Sequence, residues 1–520
     1  MFTVENLTIE TRKGRKLIEN LSFALNDGDK MAIIGEEGNG KSTLLKALIN
    51  PKLIADYCLV SGKINNQNCK IGYLEQKLSP EWDNQTIVDY YLKDTPDGDC
   101  DYDRYNDIFK FESILKNMGF DLSHINDNTL IKHLSGGEKV KLQLAKIYSG
   151  NYDVIFLDEP TNDLDIETLE LLEKFILGTT KPVLYISHDE TLLENTANRI
   201  LHIEQLIKKT QPKFTLKKCT YDEYVEARNR QLDHQTQIAI NERRERDKKE
   251  EILRQIKQKV ENALVAAKKD PSSGRIIAKK MANVKAQERR LETEELTEIP
   301  DVEEAIKMIV DSTITLPSQK IVLEVKIPKL MAGDRELASN IELLIRGPQK
   351  IAIIGRNGCG KTTLIRKLVP LLKRTPGLRV GYFSQNYSDV LDYSKIALDE
   401  MQLSSRDFNA ATVLGSLKFT REEMLHKVQD LSEGQKAKLA LMKLIIEKNN
   451  VLVLDEPTRN LSPLSNPVVR GVLKKYNGAI ITVSHDRKFI KEICDETYIL
   501  SESGLKKNDF LERTEDGKER

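Results

Sequence analysis

The chain has 520 residues, too many for one hydrophobic core and enough for two or three domains. Its 80 Lys and Arg balance 80 Asp and Glu, which excludes a uniformly basic surface though not a local basic patch. No apolar run approaches the roughly 20 residues of a membrane helix, and six scattered Cys without a C-x-x-C pair exclude a disulfide framework and a zinc or iron–sulfur site, so a reduced, cytoplasmic protein is expected.

In chain order, the first apolar run, MAIIG from position 31, enters Gly35-Glu-Glu-Gly38-Asn-Gly40-Lys41-Ser42 and a helical stretch beginning with Thr43. Gln76 follows in IGYLEQ, then Ser135, Gly136 and Gly137 in LSGGE, the strand-like VIFLD ending at Asp158 with Glu159 next, and YIS ahead of His188. All five blocks return in the same order: Gly355, Gly358, Gly360, Lys361, Thr362 and Thr363; Gln385; Ser432 and Gly434 in LSEGQ; Asp455 and Glu456; and His485. Ser135 to Asp158 and Ser432 to Asp455 both span 23 positions, and Asp158 to His188 and Asp455 to His485 both span 30. The chain is read as two copies of one α/β domain, residues 1–219 and 301–520, with residues 220–300 between them. The second copy is shorter between Lys361 and Gln385 (24 positions against 35) and between Gln385 and Ser432 (47 against 59), trimmed in segments read as peripheral loops and part of a helical subdomain.

Each glycine-rich block has the P-loop spacing and its strand–turn–helix setting. There backbone N–H groups and a helix N-terminus cradle phosphates, Lys41 and Lys361 reach the β- and γ-phosphates, and Ser42 and Thr362 take Mg²⁺. Asp158 and Asp455, at strand ends, can join the metal shell. Glu159 and Glu456 are placed to polarise an attacking water. Gln76 and Gln385 are candidates to sense metal and γ-phosphate, and His188 and His485 to hydrogen-bond the γ-phosphate.

The middle segment is rich in Glu, Lys, Arg, Gln and Ala, with one Pro and one Gly in KDPSSGR. It reads as a helical hairpin turning at Asp270–Gly274, its first helix running from Tyr221 to Lys268 with Ile252, Ile256, Val260 and Leu264 as an apolar seam. Lys268, Lys269, Arg275, Lys279, Lys280, Lys285, Arg289 and Arg290 are opposed there only by Asp270 and Glu288, a basic tip suited to RNA phosphates with little base readout.

LSGGE and LSEGQ beside two P-loops resemble the ATP-binding cassette (ABC) superfamily over nearly all of the chain outside the linker and tail. The resemblance implies an ATPase whose two cassettes face head to tail, each signature closing on the other's nucleotide. Site one then joins Lys41, Ser42, Gln76, Asp158, Glu159 and His188 to Ser432 and Gly434. Site two joins Lys361, Thr362, Gln385, Asp455, Glu456 and His485 to Ser135, Gly136 and Gly137. Departures are Glu433 in place of Gly136, and Arg-Asn-Leu-Ser462-Pro463 where the first copy has Asn-Asp-Leu-Asp165. Both are expected to bear on site one, so unequal hydrolysis is expected. Neither copy carries an adenine-stacking aromatic upstream of its P-loop, which implies apolar and stem contacts to the base. Two cassettes joined by a hairpin entered through Tyr221-Asp-Glu-Tyr224 resemble the ABC-F group, soluble proteins associated with the ribosome. That resemblance implies ATP and Mg²⁺ as cofactors, rRNA and tRNA near the E and P sites as partners, and a monomer without a membrane domain, serving translation or antibiotic resistance. The alternatives are the ATPase subunit of a transporter and a DNA-repair type ATPase. The short tail and the absent cysteine clusters argue against several other relatives.

Overall fold

In the computed structural model, residues 2–66, 69–126, 129–205, 211–266, 271–292, 316–402, 410–417 and 419–508 are described. They form two units: Met1–Asp222 with Glu303–Arg520, and Glu223–Val302.

In the first cassette, β1 (Phe2–Thr11) and β2 (Lys16–Leu25) form an antiparallel pair, and β3 (Lys30–Ile34) leads through the P-loop into α1 (Lys41–Ile49). β4 (Cys58–Asn65) pairs antiparallel with β1. β5 (Ile71–Leu74) precedes a helical subdomain of α2 (Ile87–Leu92), α3 (Ile108–Asn117) and α4 (Ser123–Asn126). Then come α5 (Gly136–Ser149), β6 (Val154–Asp158), α6 (Ile166–Gly178), β7 (Val183–Ile186), α7 (Glu190–Thr196), β8 (Arg199–Gln205) and β9 (Gln211–Lys217). The main sheet has the order β5-β6-β7-β3-β8-β9, parallel except for β9. Buried on every residue, β3, β6 and β7 are the continuous apolar runs of a sheet covered on both faces.

The linker unit contains the body of α8 (Tyr221–Ala266), 46 residues and about 69 Å long at 1.5 Å per residue, and α9 (Pro271–Glu292). α9 begins at Pro271, so Pro271 to Gly274 are its first turn rather than the expected bend: proline at N1 loses no hydrogen bond and has its φ preset. The seam also differs from the expected one. Ile252 and Ile256 are exposed, whereas Leu253 and Val260 are buried on α8 and Val284 on α9. Leu253 and Val260 are a heptad apart, the spacing that stays on one line between two packed helices, while an i, i+4 row drifts around the cylinder. Leu264 lies outside the residues with described side chains.

The second cassette repeats the plan. β10 (Ile321–Ala332) and β11 (Arg335–Arg346) form a hairpin, β12 (Lys350–Ile354) leads into α10 (Lys361–Arg374), and β13 (Val380–Phe383) follows. After the short helices α11 (Ala397–Gln402), α12 (Ala410–Ser416) and α13 (Arg421–Leu425) come α14 (Glu433–Ile446), β14 (Val451–Asp455), α15 (Asn466–Lys475), β15 (Ala479–Val483), α16 (Arg487–Ile493), β16 (Glu496–Ser501) and β17 (Gly504–Asn508). Its sheet order, β13-β14-β15-β12-β16-β17, is that of the first strand for strand. The 11 positions by which the first copy exceeds the second between P-loop and glutamine are not a loop: they contain β4, a third strand on β1, whereas α10 is five residues longer than α1. Val260→Asp is expected to destabilise the hairpin by about 2–3 kcal/mol and Ile252→Asp by less than about 0.5 kcal/mol. Hydrogen exchange along α8 and α9 in the whole chain reads the difference.

Candidate nucleotide sites

The central strands β3 and β12 end where the order of connections reverses, the crevice in which open α/β sheets take ligands. Gly35 and Gly355 hold φ of 149° and 151°, and a Cβ on either would lie 2.3 Å from the Ile203 carbonyl oxygen or 2.6 Å from that of Leu500, so only glycine fits. Lys41 Nζ donates to the carbonyls of Gly35 (2.8 Å) and Glu36 (3.0 Å), and Lys361 Nζ to those of Gly355 (2.8 Å) and Arg356 (2.9 Å). Burial lowers the pKa of Lys41. Thr43 and Thr363 lie in the first turns of α1 and α10. Leu17 packs against Gly40 and Leu337 against Gly360, while Arg15 donates to the Gly38 carbonyl at 3.5 Å; these apolar and stem groups stand beside the P-loops where an aromatic is absent.

Beside each P-loop a strand-end aspartate meets the hydroxyl. Ser42 Oγ donates to Asp158 Oδ1 at 2.9 Å and Thr362 Oγ1 to Asp455 Oδ1 at 3.3 Å. Oδ2 of both aspartates is buried with no hydrogen-bond partner among the described residues. Burial, then the neighbouring Glu159, pushes Asp158 up to about 6; burial also raises Asp455. An oxygen-seeking divalent cation would neutralise these orphaned buried oxygens, so the donor set fits Mg²⁺.

Glu159 and Glu456 both have left-handed backbones, φ 51° and 53°, a cost of about 1–2 kcal/mol that the fold bears at the same place twice. Their surroundings differ. Glu159 accepts from Gln76 Nε2 (2.8 Å) and Asn162 Nδ2 (2.7 Å), and its Oε1 lies 3.2 Å from His188 Nε2. Burial alone would raise its pKa, but the bond and charge of His188, with Lys41 and Asn162, bring it to about 2. Among the described residues Glu456 accepts the His485 backbone N–H at 3.3 Å, with the His485 ring Nε2 3.7 Å from its Oε1, and burial pushes it up to about 8. Gln385 is exposed and makes no bond to it. His188 Nδ1 donates to the Leu461 carbonyl of the other cassette at 2.7 Å, whereas His485 Nδ1 is buried with no hydrogen-bond partner among the described residues and burial lowers that ring to about 3.

The signature sequences are helix N-caps. Ser135 Oγ accepts the Glu138 N–H at 3.3 Å and Glu138 Oε2 accepts the Ser135 N–H at 2.8 Å; Ser432 and Gln435 repeat this at 3.3 and 3.0 Å. Both are capping boxes, which leave the free N–H groups of α5 and α14 pointing outward. They point at the opposite P-loop. Glu37 Oε2 accepts the Gly434 N–H at 2.6 Å, and a Cβ on Gly137 would lie 3.0 Å from Asn357 Nδ2 and 2.6 Å from the Asp163 carbonyl. Asn357 in turn donates to that carbonyl. Both sites are therefore brought together head to tail.

The two departures act differently from expectation. Glu433 is exposed and pairs with Lys436 at 2.9 Å; it is Gly434 that meets the facing P-loop. Arg459 pairs with Asp163 of the opposite loop at 2.8 Å, but it occupies the position of Asn162, so its cost falls on its own cassette, where Glu456 lacks an orienting amide. Sequence reasoning missed Glu37, Asn162 and the Leu461 carbonyl. The first two were visible as residues within motifs, but nothing local marked their partners.

For the signature to close on a γ-phosphate, the Glu37 carboxylate would have to leave the Gly434 N–H. Glu37→Asn, which copies Asn357, is expected to tighten one of two ATP sites by about tenfold, the scale of one charge-assisted hydrogen bond. Titration of the Glu159→Gln, Glu456→Gln chain with a fluorescent ATP analogue, with and without the change, measures it.

A family profile described as "ABC transporter" matches residues 18–162 and 338–459, about half of the chain. The chain is 28% identical to the ribosome protection protein VmlR of Bacillus subtilis over 97% of its own length and 87% of that protein, and 25% identical to ABC transporter F family member 5 of Arabidopsis thaliana over 99% and 78%. Its fold is like that of the archaeal ribosome recycling factor aABCE1, solved with the ribosomal stalk protein aP1, with a TM-score of 0.57 at 16% identity over 94% of this chain and 86% of that one. The chain is thus an ATPase that belongs to the ATP-binding cassette family and has the make-up of its ABC-F group.

Proposed function

We propose that the protein is a cytoplasmic ATPase that works on the ribosome, with ATP held in both head-to-tail sites and the linker presented to structured RNA. The observation that carries this reading is the linker between two ATPase halves, where Lys279, Lys280, Lys285, Arg289 and Arg290 are exposed along α9. Lys268 and Lys269 lie outside the described residues, and the side chain of Arg275 is likewise not described. No helix among the described residues is long and apolar enough to cross a membrane. The relative named as a ribosome protection protein, similar over 97% of this chain, supports the ribosome as partner.

At each site the N–H groups at the start of α1 or α10 and Lys41 or Lys361 hold the β- and γ-phosphates. Ser42, Asp158 and Gln76, or Thr362, Asp455 and Gln385, would hold Mg²⁺, which would supply charge neutralisation for the transferring phosphoryl group. Glu159 or Glu456 takes a proton from water as its oxygen attacks the γ-phosphorus, the bond to the β-phosphate oxygen breaks and ADP leaves. His188 or His485 steadies the γ-phosphate. Ser432 and Gly434, or Ser135, Gly136 and Gly137, close from the other cassette, which at site one requires Glu37 to release Gly434. Tyr221, the first residue of α8, is buried beside Glu190, Glu194 and Arg470, so closure of the cassettes reaches the root of the linker. On the ribosome the linker acts on tRNA near the E and P sites, in translation control or in protection from antibiotics.

The Glu159→Gln, Glu456→Gln chain is expected to co-sediment with ribosomes in ATP and not in ADP; equal recovery in both nucleotides would sink this reading. Replacing Lys279, Lys280 and Lys285 by Ala should weaken that association and flatten its log–log salt dependence by about one unit per lost phosphate contact. At saturating ATP, Glu159→Gln should cost more turnover than Glu456→Gln, because Glu159 is already ionised and oriented. Equal losses would show equivalent sites.

A further inference from the structure

Seven described ion pairs join the cassettes, and in every one the carboxylate comes from the first and the cation from the second. They are Glu167–Arg356, Asp163–Arg459, Glu190–Arg470, Glu173–Arg487, Asp189–Arg487, Glu190–Lys488 and Glu194–Lys488. Four of these residues occupy matched positions in the repeat. Glu173 stands 15 after Asp158 and Arg470 stands 15 after Asp455; Glu190 stands two after His188 and Arg487 two after His485. One copy is therefore Glu-Glu where the other is Arg-Arg, and the pairs cross. Arg470 grips Glu190 through both oxygens at 2.5 and 3.0 Å, with both side chains 3% exposed, and Arg487 meets Glu173.

An interface between two like cassettes would apply the same crossing rule to identical residues. Two first cassettes would set Glu173 against Glu190 twice, and two second cassettes Arg470 against Arg487 twice, all with little water to screen them. Apolar residues at these positions would bury as well and discriminate nothing. We infer that this reciprocal charge pattern is a pairing code, by which the first cassette accepts the second and the like halves of two chains reject each other. The partner it fits is the complementary half of the same chain, and the working unit is one polypeptide. This inference depends on cassette pairing alone and stands whether or not the ribosome is the target.

Two full-length variants test it. Glu173→Arg with Glu190→Arg makes both faces cationic, and Arg470→Glu with Arg487→Glu makes both anionic. Each alone is expected to lose more than about tenfold of its ATP turnover, as expected when a buried pair is replaced by like charges. Mixed in equal amounts, they restore a native pairing between the anionic cassette of one chain and the cationic cassette of the other. Light scattering should then show a two-chain species, and turnover should return to about half of wild type. Wild-type turnover in either variant alone, or a mixture with neither dimer nor activity, overturns the code. If a variant cannot be purified, E190Q, R470M and their combination take its place: coupled effects on turnover support the code, and additive effects overturn it.

Discussion

Each nucleotide site sets two helix N-termini against one another, α1 against α14 and α10 against α5. Each carries free N–H donors and the positive end of a helix dipole, so two such ends repel unless an anion lies between them. Negative charge between them favours closure of the cassettes, and a triphosphate would supply it to both ends at once. The residues around the sites follow from this need. Ser135 and Ser432 cap their helices through their own side chains so that the next N–H groups remain available, and Gly137 and Gly434 stand where any side chain would strike the facing P-loop.

The two sites answer that need differently. At site one Glu37 partly fills the gap with a carboxylate, and Glu159 is held ionised by three side chains. At site two Asn357 turns to the Asp163 carbonyl, and Glu456 lies buried with one backbone donor. The contacts of the two sites thus differ both at the signature and at the carboxylate that follows the strand-end aspartate.

What could be read from the sequence was what repeats. P-loops, capped signatures, strand-end carboxylates and their spacing are local patterns with local physical reasons, and two copies in one order fix them. Sheet order also follows, since buried apolar strands joined by helices leave few topologies. The start of α9 at Pro271, the Leu253–Val260 seam and β4 were misread because in each the composition permits two placements and packing chooses between them. Glu37 and Gly434 are 397 positions apart, and Arg470 and Glu190 are 280 apart; no window along the chain reveals such pairs.

Reciprocal charge at Glu173, Glu190, Arg470 and Arg487 also constrains how such a chain can change. Opposite signs stand at matched positions of the two copies, so no one of the four can change sign alone without setting like charges together. A half grafted from another chain would fit only if its residues at these four places carried the complementary signs, however faithfully the ATP-binding residues were kept.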